Sequence, residues 1–138
     1  MITLPNSFEP AYVIDTNALY WYLAGDNRLS RPAKAVFQAA EQGQTHLFVF
    51  VISLAELFWI LEKRPLAQSY SIIYLALQTR SFIEFVPLEA AHIVDFVRDD
   101  VIPEMHDHII VGVALRLRAP LITSDSIIAT SGIVRVVW

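Results

Sequence analysis

The sequence predicts an α/β fold with a parallel central sheet. Short apolar runs of strand length alternate with longer segments of helical periodicity, which is the pattern of repeated strand–helix–strand units. The 138 residues include only four glycines and show no internal repeat, low-complexity tract or linker. We therefore expect a single domain over residues 1–138, long enough to bury a substantial core.

Five short runs, mostly rich in β-branched and aromatic residues, are the predicted strands. In chain order they are Ala11–Ile14, His46–Ile52, Ile83–Val86, Leu121–Thr123 and Val134–Val137. A mostly parallel sheet of about five strands follows from this order.

Helical patterns fill the intervals, and several have recognisable start and stop residues. Ser30 and Pro32 begin one helix, and Gly43 follows its end at Glu41. Pro103 separates the last two long helices. The predicted helices are Asn17–Leu23, Ser30–Glu41, Ser53–Leu61, Pro65–Thr79, Glu89–Val101, His106–Leu117 and Ser126–Ala129.

Composition excludes several classes of function. The chain has no cysteine, which rules out disulfides, thiolate zinc sites and cysteine nucleophiles. Its longest uncharged stretches, Gln42–Ala55 and Pro65–Thr79, are too short and too polar to span a bilayer. No basic segment followed by an apolar run marks the N-terminus, so we expect no signal peptide, no membrane association and a cytoplasmic location.

The apolar content is high and the net charge is negative. Hydrophobic residues make up 55% of the chain, with a mean hydropathy of +0.47, which predicts a broad contact with another protein. The net charge is −4, from 10 basic and 14 acidic residues. Such a chain is not typical of a duplex binder, but it is compatible with a nuclease whose metal ions supply the positive charge.

Four acidic residues are the main candidates for chemistry. Asp15 stands at the end of the first predicted strand, and Asp125 follows the fourth. Glu56 lies one helical turn beyond another strand, and Asp107 opens a long helix. Because the carboxyl ends of parallel strands form the ligand crevice of an open sheet, we expect these acids to converge there. Clustered carboxylates need a cation, and oxygen ligands without thiolates suit Mg²⁺ or Mn²⁺.

Each acid also has a purely structural explanation. Asp15 can cap a helix, Asp107 can complement a helix dipole, and Asp125 can make an Asx turn. Ser53-Leu-Ala-Glu56 matches a capping box, which ties the glutamate to the backbone. Four unrelated caps need not fall at one edge of a sheet, whereas a metal site requires it. The joint pattern therefore favours one site.

Several neighbours of these acids are secondary candidates. Small polar residues beside the acids are expected to orient ligands or water, namely Thr16, Asn17, Thr123 and Ser124. His106 and His108 flank Asp107 and can contact a substrate, although we favour the interpretation that they are exposed bystanders. His46 and His92 are expected to be structural.

Aromatic and basic groups offer possible contacts to RNA. Tyr20-Trp21-Tyr22 can stack on bases, but a cluster of aromatic residues on a helix usually belongs to a core or an interface. Two groups of basic residues can bind RNA phosphate, although such residues usually lie on a solvent-exposed face. These groups are Arg28, Arg31 and Lys34, and then Lys63 and Arg64.

The acidic motifs, taken in order, resemble those of the PIN-domain ribonucleases, especially VapC-type toxins of toxin–antitoxin pairs. The matching segments are Val13-Ile-Asp15-Thr-Asn-Ala-Leu19, Val51-Ile-Ser-Leu-Ala-Glu-Leu57, His106-Asp107-His-Ile-Ile-Val-Gly-Val-Ala-Leu115 and Leu121-Ile-Thr-Ser-Asp125. Their order and spacing agree over essentially the whole chain. The pattern departs at His108, where many relatives carry Arg, and the fourth motif has one acid where some relatives have a second nearby.

The resemblance implies a PIN-like three-layer α/β/α fold and an endoribonuclease that cleaves RNA phosphodiesters with metal-activated water. It also implies a homodimer and a cognate antitoxin protein. In the working hypothesis, Asp15 and Asp107 ligate Mg²⁺ or Mn²⁺ directly, and Asp125 ligates it directly or through water. Glu56 positions water or a second ion.

Two other functions remain open. Phosphatases of the haloacid-dehalogenase type use an aspartate nucleophile with a second aspartate two positions later, where this chain has Asn17. A PIN-like module that binds RNA or protein without cutting is the other alternative. Calorimetric titration with Mg²⁺ or Mn²⁺ separates this inert module from the nuclease.

Overall fold

The sheet has five parallel strands. The computed structural model describes residues 8–96 and 102–138. The strands are β1 (Ala11–Ile14), β2 (His46–Phe50), β3 (Ile83–Val86), β4 (Leu121–Ile122) and β5 (Val136–Val137). They pair in the order β3-β2-β1-β4-β5, and every pairing is parallel. The predicted α/β class with a parallel five-stranded sheet is confirmed.

Helices connect these strands. Within the described ranges they are α1 (Thr16–Ala24), α2 (Arg31–Glu41), α3 (Val51–Lys63), α4 (Tyr70–Thr79), α5 (Ala90–Phe96), α6 (Met105–Leu117) and α7 (Ser126–Ser131). The chain first moves outward from β1 to β2 and β3, and then returns to the other side of β1 to form β4 and β5. The order therefore reverses beside β1, and this switch point is where open α/β sheets form a ligand crevice.

Two hydrophobic clusters cover the two faces of the sheet. Tyr12 and Ile14 belong to one cluster, whereas Val13 belongs to the other, as alternation along a strand requires. The first cluster packs α1, α2, α3 and α4 against the sheet, and the second packs α6 and α7. This is the predicted three-layer α/β/α arrangement.

The transition from β2 to α3 differs from the sequence prediction. β2 ends at Phe50 rather than Ile52, and α3 begins at Val51 with no intervening loop. The apolar run crosses this boundary, and apolar runs alone do not distinguish a buried strand from a buried helix. Ser53 therefore lies inside the first turn of α3 and not at its N-cap. Its hydroxyl is buried without a hydrogen-bond partner in the described part of the chain, so the predicted capping box is wrong.

Other boundaries also shift. α4 begins at Tyr70 rather than Pro65. The residues that it buries are Ile73 and Leu77. β4 and β5 are shorter than predicted, α6 begins one residue earlier than predicted, and α7 extends to Ser131. The predicted helix Glu89–Val101 corresponds to α5, and its last residues, 97–101, lie outside the described residues.

The surface retains many large apolar side chains. Among the described helices, none is long and apolar enough to cross a membrane. The exposed large apolar residues of α3, α4 and α5 are Val51, Phe58, Trp59, Ile72, Tyr74, Leu75, Ile93 and Val94. Part of the apolar surplus in the sequence therefore lies on helices at the surface.

Candidate metal centre

Two of the four acids stand at the switch point of the sheet. Ile14 and Ile122 are paired in the register of β1 and β4, and the Asp15 amide donates to the Ile122 carbonyl over 3.0 Å. Asp125 follows β4 by three residues and is the N-cap of α7. The strand ends therefore bring Asp15 and Asp125 to the same edge.

All four acids line one cavity of about 530 Å³ at that edge, which we name the acidic cavity. Glu56 enters it from α3, and Asp107 enters it from the first turn of α6. The remaining lining residues are Thr16, Asn17, Phe50, Ile52, Ser53, Trp59, Ile60, His106, Ile110 and Ser124. No lysine or arginine of the described chain is among them. Four carboxylates thus share a cavity without a permanent cation from the protein.

Thr16 connects two of these carboxylates. Its backbone amide donates to Asp15 Oδ1 over 2.6 Å, and its hydroxyl donates to Glu56 Oε1 over 2.9 Å. Glu56 is therefore tied to the end of β1 and not to the first turn of its own helix. The predicted role of Thr16 as a residue that orients ligands agrees with this geometry.

Thr123 connects Asp15 to Asp125. Its hydroxyl donates to Asp15 Oδ2 over 2.6 Å and accepts from the Asp125 amide over 3.1 Å. Asp125 Oδ1 in turn accepts from the Ile128 amide over 3.0 Å. Asp15 and Asp125 thus cap α1 and α7 while they line the cavity, so the structural interpretation is confirmed for both and is compatible with a predicted role in metal binding.

Burial and repulsion from neighbouring acids disfavour the ionised forms of Asp15 and Asp107. The pKa of Asp15 is raised above its ordinary value, first by burial and then by repulsion from Glu56 and Asp125, although the hydrogen bonds from Thr123 and Thr16 oppose this. The pKa of Asp107 is raised to about 6, first by burial and then by four neighbouring acids. Those acids are Asp125, Glu104, Asp15 and Glu56. A bound cation would relieve this repulsion.

Glu104 and His106 form the rim beside Asp107. Glu104 is the N-cap of α6, where its Oε2 accepts from the Asp107 amide and its Oε1 lies 2.8 Å from His106 Nδ1. The hydrogen bond to Glu104 raises the pKa of the exposed His106. Burial acts in the opposite direction but has the smaller effect on this pKa. Sequence reasoning missed Glu104, because the helix was predicted to begin at His106. An acid three residues before Asp107 was the available signal.

The remaining histidines separate into different environments. His106 is exposed, as predicted, but His108 is buried on α6, so the prediction of an exposed bystander is wrong for it. The middle of α6 is buried on nearly all sides, and position 108 lies where this buried part of the helix begins. His92 is buried and accepts from the Glu89 amide at Nδ1, which is the predicted structural role.

An apolar side completes the acidic cavity, and sequence reasoning did not find it. Phe50 and Ile52 at the start of α3, Ile60 further along it and Ile110 on α6 contribute to this side. Trp59 also lines the cavity and is 65% exposed. The cavity therefore presents carboxylates and apolar surface to the same ligand.

The aromatic and basic candidates lie elsewhere. Tyr20 is buried and donates its hydroxyl to the Arg64 carbonyl. Trp21 packs against Trp138, and Tyr22 stacks on Phe37. Arg31 and Lys34 line a separate pocket beside Trp21 and Tyr22. The aromatic cluster belongs to the core and its margin, which is the predicted alternative to base stacking.

The donor set of the cavity suits a hard divalent cation. It offers carboxylate oxygens without sulfur, and Asp15 is held as an acceptor by two donors. As the side chains stand, no three His, Asp or Glu residues in the described ranges are grouped closely enough to hold one ion. Ligation by several of these acids therefore requires side-chain rotation.

Comparison with known proteins identifies the family. Residues 12–130 match the family model of the PIN domain, and the chain belongs to this family. The sequence has no match among the curated proteins.

Solved structures show the same fold. A toxin–antitoxin complex from Klebsiella pneumoniae matches with 23% identity and a TM-score of 0.67, covering 92% of this chain and 96% of that chain. The toxin VapC20 of Mycobacterium tuberculosis, described as cleaving the sarcin–ricin loop, matches with 17% identity and a TM-score of 0.69, covering 92% and 99%. VapBC2 of Rickettsia felis, bound to a promoter DNA fragment, matches with 16% identity and a TM-score of 0.66, covering 91% and 96%.

Proposed function

We propose that this protein is a metal-dependent endoribonuclease and the toxin of a toxin–antitoxin pair. The observation that carries the proposal is the acidic cavity, in which four carboxylates meet at the switch point of the sheet without a lysine or arginine among the described lining residues. Such a site attracts a divalent cation before it can accept a phosphate. Membership of the PIN domain family and the resemblance of the four motifs to VapC-type toxins support the same conclusion.

The acids have distinct roles in this proposal. Asp15, Asp107 and Asp125 hold Mg²⁺ or Mn²⁺, and Glu56 orients a water molecule or helps to hold a second ion. When bound, the cation lowers the pKa of water and stabilises the charge that develops on the phosphate. The phosphodiester enters from solvent, and Asn17 and Ser124 supply polar groups at the cavity wall.

The two threonines position the acids. Thr123 and the Thr16 amide each donate to one oxygen of Asp15, which favours its ionised form and fixes its orientation. Thr16 also holds Glu56 through its hydroxyl. The chain thereby keeps two carboxylates at defined positions before a cation arrives.

Partners follow from the surface and from the fold relatives. The exposed apolar residues of α3, α4 and α5 would be buried by contact with a protein partner. The Klebsiella relative is a toxin–antitoxin complex, and the Rickettsia relative is named VapBC2. We therefore propose a homodimer that binds a cognate antitoxin in the cytoplasm. Light scattering at high concentration should detect the dimer, and a clean monomer would contradict it.

The function is tested by RNA cleavage with the purified full chain. Wild type should cleave RNA with Mg²⁺ or Mn²⁺ and lose all activity in EDTA. Asp15→Asn should lower the rate more than about 100-fold, since loss of a direct ligand exceeds the effect of an indirect one. Activity that survives chelation, or that Asp15→Asn leaves intact, would rule the mechanism out.

A matched pair on α3 separates the cavity from general loss of negative charge. Glu56→Gln should slow cleavage strongly, whereas Glu62→Gln, at an exposed position of the same helix, should not. Calorimetry with Mn²⁺ addresses the alternative of an inert PIN-like module. Absence of binding at millimolar Mn²⁺ would favour that module over the nuclease.

A further inference from the structure

We propose that Trp59 is a nucleobase platform at the mouth of the acidic cavity, stacking on an unpaired base next to the phosphate that is cut. This inference rests on the proposed function. Trp59 lies three residues after Glu56 on α3, and residues at this spacing are neighbours on one helix surface. Both side chains line the acidic cavity. A base on Trp59 would therefore lie beside the carboxylates.

The exposure of Trp59 is unusual for its type. Tryptophan is normally well buried, yet this indole is 65% exposed. The other tryptophans, Trp21 and Trp138, are half-buried and pack against each other with ring centroids 5.6 Å apart. Phe50 also lines the cavity but is 1% exposed. Among the tryptophan, tyrosine and phenylalanine residues that line the cavity in the described ranges, Trp59 is therefore the one whose ring is exposed to solvent.

The composition of the cavity fits a nucleotide better than phosphate alone. Its carboxylates, once neutralised by a cation, face the phosphate, whereas Trp59, Ile60 and Ile52 offer an apolar wall for a base. No lysine or arginine of the described chain lines the cavity, so phosphate contacts to these side chains do not supply affinity there. Base–aromatic stacking supplies it instead and tolerates any base. Because stacking needs an unstacked base, single-stranded RNA is the expected substrate.

Binding of a short single-stranded RNA to the full chain tests this inference. Asp15→Asn serves as the background, so that RNA is not cut during titration. Trp59→Ala should weaken binding about tenfold, and Trp59→Phe should retain most of it, because phenylalanine keeps a stacking face. Leu75→Ala is the matched control, since Leu75 is 58% exposed on α4 and does not line the cavity. RNA should also quench tryptophan emission in the background protein but not in its Trp59→Phe form.

Cleavage of intact and abasic RNA gives an independent result. In the catalytically competent protein, Trp59→Ala should slow cleavage of intact RNA and leave cleavage of an RNA that lacks the flanking base nearly unchanged. Equal affinity of Trp59→Ala and wild type for RNA would overturn the inference. The inference would also be overturned if Trp59→Ala changed only the oligomeric state, because Trp59 would then contact another protein chain rather than a base. If RNA is cleaved equally well without Trp59, the proposed nuclease function still holds, but the role of Trp59 does not. If RNA binding depends on Trp59 but no RNA is cleaved, the proposed nuclease function is wrong, but Trp59 still binds a base.

Discussion

Asp15 and Asp107 face the same cavity, one from a strand end and the other from a helix, and the protein holds them differently. Asp15 accepts hydrogen bonds from the Thr16 amide and the Thr123 hydroxyl, one at each oxygen. Asp107 is half-buried, and burial and repulsion from the surrounding acids raise its pKa to about 6. The strand side of the cavity is thus fixed by hydrogen bonds that offset part of the electrostatic cost of burying Asp15, whereas on the helix side no described hydrogen bond offsets that cost at Asp107. A cation should therefore change Asp107 more than Asp15.

The largest effect predicted from this comparison concerns the strand side of the cavity, where hydrogen bonds fix Asp15. Thr123→Val removes the hydroxyl that joins Asp15 to Asp125, while it keeps the shape of the side chain. Loss of such an orienting group should weaken Mn²⁺ binding and cleavage by about 10- to 100-fold. Calorimetry and the RNA assay measure the two effects.

Thr130→Val is the control for this change. Thr130 is exposed, and its hydroxyl donates to the Ser126 carbonyl within α7. It should leave Mn²⁺ affinity unchanged. If Thr123→Val binds Mn²⁺ as tightly as wild type, then the strand side does not depend on this hydroxyl and the comparison fails.

The helix side is tested by the pH dependence of stability without metal. The raised pKa of Asp107 means that the folded protein keeps a proton that the unfolded chain releases near its ordinary value of 3.8. The stabilising contribution of this carboxyl is therefore complete below that value and is lost as the pH rises through about 6. In EDTA, the free energy of unfolding of wild type should fall relative to that of Asp107→Asn over this range.

Urea unfolding at several pH values measures this difference. Addition of Mg²⁺ at neutral pH should restore the stability of wild type and have less effect on Asp107→Asn, because binding to the folded state stabilises it. Parallel pH profiles of the two proteins would contradict a raised pKa at Asp107.

The smallest expected effect concerns Ser53. Because its buried hydroxyl has no partner in the described part of the chain, Ser53→Ala should change the free energy of unfolding by less than about 0.5 kcal/mol or increase it. Ser30→Ala is the comparison, since Ser30 caps α2 through the Ala33 amide and its loss should cost about 1 kcal/mol. Equal losses in the two variants would contradict a buried Ser53 hydroxyl without a hydrogen-bond partner.

The sequence predicted those features that depend on local pattern and on strand order. Asp15 and Asp125 were predictable because Asp15 directly follows β1 and Asp125 comes three residues after β4, and parallel strands end at one edge. Ser53 was wrongly predicted to cap α3 because the spacing of a capping box occurs by chance where β2 passes into α3 without a loop, whereas Glu56 was kept among the predicted site residues. The apolar pattern of the sequence did not mark the point at which β2 ends and α3 begins.

Features that depend on packing between distant segments were not predictable. Trp59 reaches the cavity because α3 lies beside the end of β1, which no local motif encodes. His108 lies on a helix whose middle is buried on nearly all sides, so its sequence pattern does not distinguish an inner from an outer side. Glu104 was hidden by an error of one residue in the start of α6.

The bond between Thr123 and Asp15 joins residues 108 positions apart in the chain. Asp15 is among the first described residues to be synthesised, whereas β4 and Asp125 follow only after most of the chain has been made. A nascent chain that still lacks β4 has neither the second strand of the switch point nor the hydroxyl that orients Asp15. The acidic cavity is therefore completed late during synthesis, and under the proposed function a truncated translation product that lacks β4 should not cleave RNA.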